Sequence, residues 1–138
     1  MLLHSAHVRF SLHGRRFCCV YILVTSDVHC GIDQGFGYAG LKQVRDALEA
    51  QGYATLLVDD GDSIQGEPIG TLSKGEAIVS LMNEIGYDVA IPGNHEFDYG
   101  TDRFLELVDM AEYPYTLGGV IGEEYADPYG HGRIVIME

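Results

Sequence analysis

Short apolar runs alternate with longer amphipathic ones along this 138-residue chain. "CVYILVT" is an apolar, β-branched run of strand length, with Val20 to Thr25 as its buried part. "YAGLKQVRDALEAQG" follows, placing Leu41, Val44 and Leu48 on one helical face and ending at Gly52, a residue suited to stopping a helix. "YATLLVDD" is the second strand. "SKGEAIVSLMNEIG" is the second helix, with Ile78, Leu81, Met82 and Ile85 inward and Gly86 as its stop. "DVAI" makes a third strand and "TDRFLELVDMA" a third helix, capped by Thr101 and facing inward with Phe104, Leu105 and Val108. Further strands are expected at Tyr115 to Leu117 and at Arg133 to Met137. Continuous apolar strands alternating with helices predict an α/β fold, a predominantly parallel sheet with helices on both faces and right-handed crossovers.

Composition narrows the partners more than the fold. The chain is 46% hydrophobic and 21% charged, which suits one α/β domain or a piece of a larger one. Its net charge of −13, with only 8 Lys and Arg, argues against binding duplex nucleic acid, which is held through cationic excess. It also opposes a phosphate-ester substrate, unless bound divalent ions invert the local field. Cys18, Cys19 and Cys30 have neither zinc spacing nor an even count and read as free thiols. Arg15-Arg16 before "FCCVYILVTS" has the outline of a secretory signal, but cleavage there would leave Asp27 and His29 at a frayed end. Residues 1–19 are therefore read as a loosely organised arm and residues 20–138 as the folded part, with no convincing signal peptide. No run reaches the roughly 18 apolar residues of a membrane span.

The topology turns spacing into geometry. In an open parallel sheet every βα loop opens on the edge formed by the strands' carboxyl ends, where ligands bind. Asp27 and His29 follow the first strand, Asp62 the second, and Asn94 with His95 the third. Each set lies about one βαβ repeat, roughly 30 residues, beyond the last. Three remote segments should meet in one cleft. Asp27 and His29 can offer oxygen and nitrogen to one divalent ion, the Asp62 carboxylate can bridge to a second, and Asn94 adds a neutral oxygen there. Two ions so bridged, about 3.5 to 4 Å apart, acidify a water and clamp an in-line phosphoryl displacement. His95 then serves as acid or charge stabiliser, with Asp98 orienting its ring. Gly61, Gly66 and Gly93 let backbone turn sharply or approach closely. Asp59 and Asp60 read as solvated or supporting carboxylates, and Glu96 as structural. His131, Tyr113, Tyr115, Tyr125 and Tyr129 read as turn, packing or loop residues, and Glu123-Glu124 as a solvated loop.

"TSDVHCG", "VDDGDSIQGEP" and "PGNHEFDYG", in that order and spacing, resemble the first three signature blocks of the calcineurin-like metallophosphoesterases, most closely the bacterial 5′-nucleotidase family. Any one block is weak evidence; three in register are highly specific. The resemblance implies a partial domain of the four-layer αββα type. It assigns Asp27, His29 and Asp62 to a first ion, Asp62 and Asn94 to a second, and a catalytic pair to His95 and Asp98. The implied cofactors are two divalent ions from among manganese, zinc, iron, cobalt and calcium. The implied substrate is a small phosphate ester, nucleoside 5′-monophosphates first, with 2′,3′-cyclic nucleotides or nucleotide sugars as the alternative. The family is often exported or held at the cell surface. It also completes its centre with downstream His ligands in a Gly-His-x-His or Gly-His-x-Gln pattern, and nothing of that kind follows Asp98 here. The C-terminal half of the domain and the substrate-binding domain are likewise missing from the pattern. The chain thus reads as the N-terminal part of a catalytic domain with an incomplete site, or as a non-catalytic metal-binding fragment. An unpaired sheet edge near Arg133 to Met137 would favour self-association.

Overall fold

A computed structural model describes residues 4–8, 11–12, 15–16, 20–35, 37–116 and 134–135 of the chain. The strands are β1 (His4–Val8), β2 (Ser11–Leu12), β3 (Arg15–Arg16), β4 (Val20–Thr25), β5 (Ala54–Asp59), β6 (Val89–Ala90), β7 (Tyr115–Thr116) and β8 (Ile134–Val135). The helices are α1 (Gly37–Ala50), α2 (Pro68–Ser73), α3 (Glu76–Ile85) and α4 (Thr101–Met110), with one 3₁₀ turn at His95–Phe97. Cys18, Cys19, Leu117, Glu123, Glu124, Tyr125, Tyr129 and His131 lie outside the described residues.

The main sheet runs β1-β4-β5-β6-β7-β8, parallel from β4 to β8, with β1 antiparallel to β4. Strand β4 pairs β5 from Val20 opposite Ala54 to Thr25 opposite Asp59, so both strands finish at one level. Strand β1 falls within the stretch read as a loosely organised arm. "HSAHV" has too little apolar alternation to announce a strand, and takes its pairing from the exposed side of β4.

The described helices form a single layer. Helix α1 lies against β5 and α3, and α3 lies against α2 and α4. Parallel sheet and packed helices give the α/β architecture expected, with the described helices in contact with one another in series. Strands β4 to β7 follow one another in sheet order, so right-handed crossovers all return on the same side. Burial follows: Leu23, Leu57, Ala90 and Tyr115 form the floor, and Leu41, Ile78, Val79, Met82, Phe104, Leu107 and Val108 pack down on it. The opposite face of β5 shows Leu56, 37% exposed.

Two inward faces are rotated from those expected. On α1 Leu41 is fully buried but Val44 is 37% exposed. The inward stripe runs instead through Tyr38, Leu41 and Arg45, whose guanidinium bonds the carbonyl of Gly86 and pairs with Asp88 at 3.1 Å. On α4 Leu107, not Leu105, joins Phe104 and Val108 in the core, because adjacent residues lie about 100° apart and Phe104 already faces inward. Thr101 is the first helical residue and Gly100 the cap, without a side-chain capping bond. Helix α2 went unread because six residues carry almost no periodicity; Pro68 starts it, and Lys74 and Gly75, both left-handed, end it. Tyr113 and Tyr115 are buried in the core, as read. Among the described residues no helix is long and apolar enough to cross a membrane.

Candidate metal centre

The first two βα loops stay hydrogen-bonded beyond the strand ends. Asp27 N donates to Gly61 O (3.1 Å), His29 N to Asp62 O (3.0 Å) and Cys30 N to Ser63 O (3.0 Å). To do this Asp27, His29, Cys30 and Asp62 adopt left-handed backbone, with φ of 51°, 45°, 60° and 57°. Each such non-glycine residue costs on the order of 1 to 3 kcal/mol and persists only where its surroundings over-determine it. The strain therefore sits on three of the four residues read as metal ligands.

The third loop closes on the second through glycine. A Cβ on Gly61, whose φ is +92°, would lie 2.5 Å from Gly93 N. A Cβ on Gly93 would overlap Asp62 Oδ1. Only bare backbone lets these loops meet. Asp62 Oδ1 then accepts the backbone N–H of His95 at 2.9 Å.

His29, Asp62 and His95, each half-buried, bring one ligand atom apiece within 4.8 Å of one another. The His29 and His95 rings stand edge to face at 5.1 Å between centroids. His29 Nδ1 lies 3.1 Å from the Gln65 carbonyl, so that nitrogen carries the proton and Nε2 keeps its lone pair. His95 Nδ1 donates in the same way to Asp98 Oδ2 at 2.8 Å. That hydrogen bond, followed by the charges of Asp98, Asp62 and Glu96, raises the His95 pKa above its ordinary value. The His29 imidazole and the Asp62 carboxylate are donors that fit zinc or another first-row divalent ion, and the His95 ring is near enough to join them or, when protonated, to face the ion's other ligands.

Asp27 and Asn94 occupy the same sheet edge and are exposed. The Asp27 carboxylate accepts a hydrogen bond from Ser26 Oγ at 2.6 Å, and Asp27 is not one of the three residues drawn together. Sequence reasoning put His95 beside the ions as an acid; the fold sets it as close to His29 and Asp62 as a ligand would be.

Beneath the loops, Asp59 is buried to 1% exposure, which fits the supporting rather than the solvated reading of this carboxylate, whereas Asp60 is exposed. Asp59 Oδ1 accepts from Thr25 Oγ1 at 2.7 Å and Oδ2 from Gly61 N at 3.3 Å. Burial pushes its pKa from 3.8 to about 7. The folded protein thus holds a proton that the unfolded chain has released across that interval. Its stabilising effect is complete below pH about 4 and is lost as pH rises through about 7. Urea unfolding in chelator should show wild-type stability falling relative to Asp59→Asn over that window, by up to about 1.4 kcal/mol per pH unit. Parallel pH curves for the two proteins would reject the assignment. Cys30 is a buried free thiol, pushed up to about 11 by burial.

The calcineurin-like phosphoesterase family model matches residues 20–137. The trifunctional nucleotide phosphoesterase YfkN of Bacillus subtilis is 33% identical over 133 residues, covering 78% of this chain and 9% of its own. Its crystal structure superposes with a TM-score of 0.61 at 29% identity, over 82% of this chain and 37% of that one. A 2′,3′-cyclic-nucleotide 2′-phosphodiesterase/3′-nucleotidase of Yersinia enterocolitica is 31% identical, covering 83% of this chain and 20% of its own. A 5′-nucleotidase of Vibrio parahaemolyticus is 32% identical, covering 78% of this chain and 21% of its own. The chain therefore spans between 9% and 21% of the length of these three curated relatives.

Proposed function

We propose, because the chain belongs to the calcineurin-like phosphoesterase family, that it carries one wall of a two-metal centre hydrolysing phosphate monoesters, nucleoside 5′-monophosphates above all. The observation that carries this reading is the convergence of His29, Asp62 and His95 at the ends of β4, β5 and β6, within 4.8 Å. Asp27, His29 and Asp62 would hold one divalent ion, and Asp62 with Asn94 the other. Bound metal supplies acidity to the attacking water and neutralises phosphoryl charge. His95, with Nδ1 tied to Asp98, directs Nε2 to the cleft. In its protonated form it gives that proton to the leaving alkoxide, which departs as the alcohol. The acidic balance of −13 suits a metal-bearing site, since bound cations offset the charge that would otherwise repel phosphate. The edge at β8, where the described sheet ends, belongs to the same proposal as a site for pairing with a second chain.

A second reading is hydrolysis of 2′,3′-cyclic nucleotides or nucleotide sugars with the same residues; its cyclic-nucleotide form is favoured by the similarity to the Yersinia enzyme. Product analysis in millimolar manganese or zinc separates the two: inorganic phosphate and adenosine from AMP mark the first reading, whereas adenosine monophosphate from 2′,3′-cyclic AMP, or UMP and glucose 1-phosphate from UDP-glucose, mark the second. The expected order puts AMP first. Metal binding without hydrolysis of any of the three would leave a non-catalytic metal-binding fragment and remove the enzymatic reading.

A further inference from the structure

Glu96 is 1% exposed, and its four hydrogen-bond donors include no cationic side chain. Oε2 accepts the backbone N–H of Asp62 (2.9 Å) and of Gly93 (2.6 Å). Oε1 accepts the N–H of Ser63 (2.8 Å) and its hydroxyl (3.3 Å). One carboxylate thus fastens the loop after β5 to the loop after β6. Asp62 is gripped twice, at its backbone by Glu96 and at Oδ1 by the N–H of His95. It needs that grip, because its left-handed backbone would otherwise relax.

We infer that Glu96 is a positioning residue of the cleft: it locks Asp62 at the φ that keeps its carboxylate beside the two imidazoles, and so sets metal affinity without touching metal. This rests on the metal reading above. Every acceptor site of the carboxylate that the loops use is filled by a donor, so an amide in its place presents N–H groups to N–H groups. Glu96→Gln keeps size and loses one acceptor oxygen. Glu96→Asp keeps both oxygens and shortens the reach.

The test measures Mn²⁺ binding by calorimetry, and backbone amide exchange in chelator, for wild type and both variants. In Glu96→Gln, exchange at Asp62, Ser63 and Gly93 should quicken about tenfold or more, the loss of charge-assisted bonds. Amides of α1, α3 and α4 should keep wild-type protection. Mn²⁺ affinity should fall roughly 10- to 100-fold, as when the partner of a ligand is removed, with Glu96→Asp between the two. Wild-type affinity in Glu96→Gln would overturn the inference. So would unchanged exchange at the three amides, or a uniform rise across the helices, which marks a merely structural role. If wild type bound no Mn²⁺, the metal reading would fall, and the three amides would still decide the clamp.

Discussion

Asp62→Asn should strip metal and turnover from the protein together. Asp62 is the one side chain in the proposal that serves both ions, and two divalent cations held close repel each other unless an anion lies between them. Asn offers a neutral oxygen in nearly the same shape and tolerates the left-handed backbone that Asp62 adopts, with φ of 57°. The fold should therefore survive, with thermal unfolding close to wild type. Affinity for Mn²⁺ should fall by more than the roughly 10- to 100-fold that losing an outer partner costs. Calorimetry of the variant settles it: two ions bound with wild-type affinity would mean that Asp62 is not the bridge.

His95→Asn should cut turnover by about 10² to 10⁴, the usual worth of a positioned acid, while metal content stays near that of wild type. The argument is geometric. Asp98 engages Nδ1, the ring lies edge to face with His29, and Asp62 and Glu96 crowd negative charge around it, which favours the protonated ring. A ring whose protonated form is favoured in this way is suited to donating a proton or steadying the developing charge on phosphate. The same closeness to His29 and Asp62 sharpens the measurement. Ions lost from His95→Asn and kept in Asp62→Asn would exchange the roles given to the two residues.

Much of the cleft is legible in the sequence. Asp27, His29, Asp62, Asn94 and His95 were expected at the ends of three parallel strands, and the fold puts them there because β4, β5 and β6 run side by side in sequence order. The pairing of His95 with Asp98, three residues on, was legible for a local reason: one short turn joins them. Gly61 and Gly93 were read as sites of close approach, and each faces atoms of another loop. Glu96 and Asp59 are less legible, the first reading as structural without its partners and the second as either solvated or supporting. A carboxylate's burial depends on donors contributed by distant segments, and pattern along the chain does not reveal them.

The sequence by itself determined the alternation of strand and helix, the stops at Gly52 and Gly86, and the chemistry gathered in three blocks. These depend on local periodicity and on residue types that few other chemistries need. Only tertiary structure decided which side of the sheet the helices cover, how α1 and α4 are rotated, and that residues 4–8 join the sheet. It alone brought the backbone N–H groups of two loops onto Glu96. Those outcomes follow from competition among long-range contacts for the same buried surface and the same hydrogen-bond acceptors, which no stretch of sequence encodes alone.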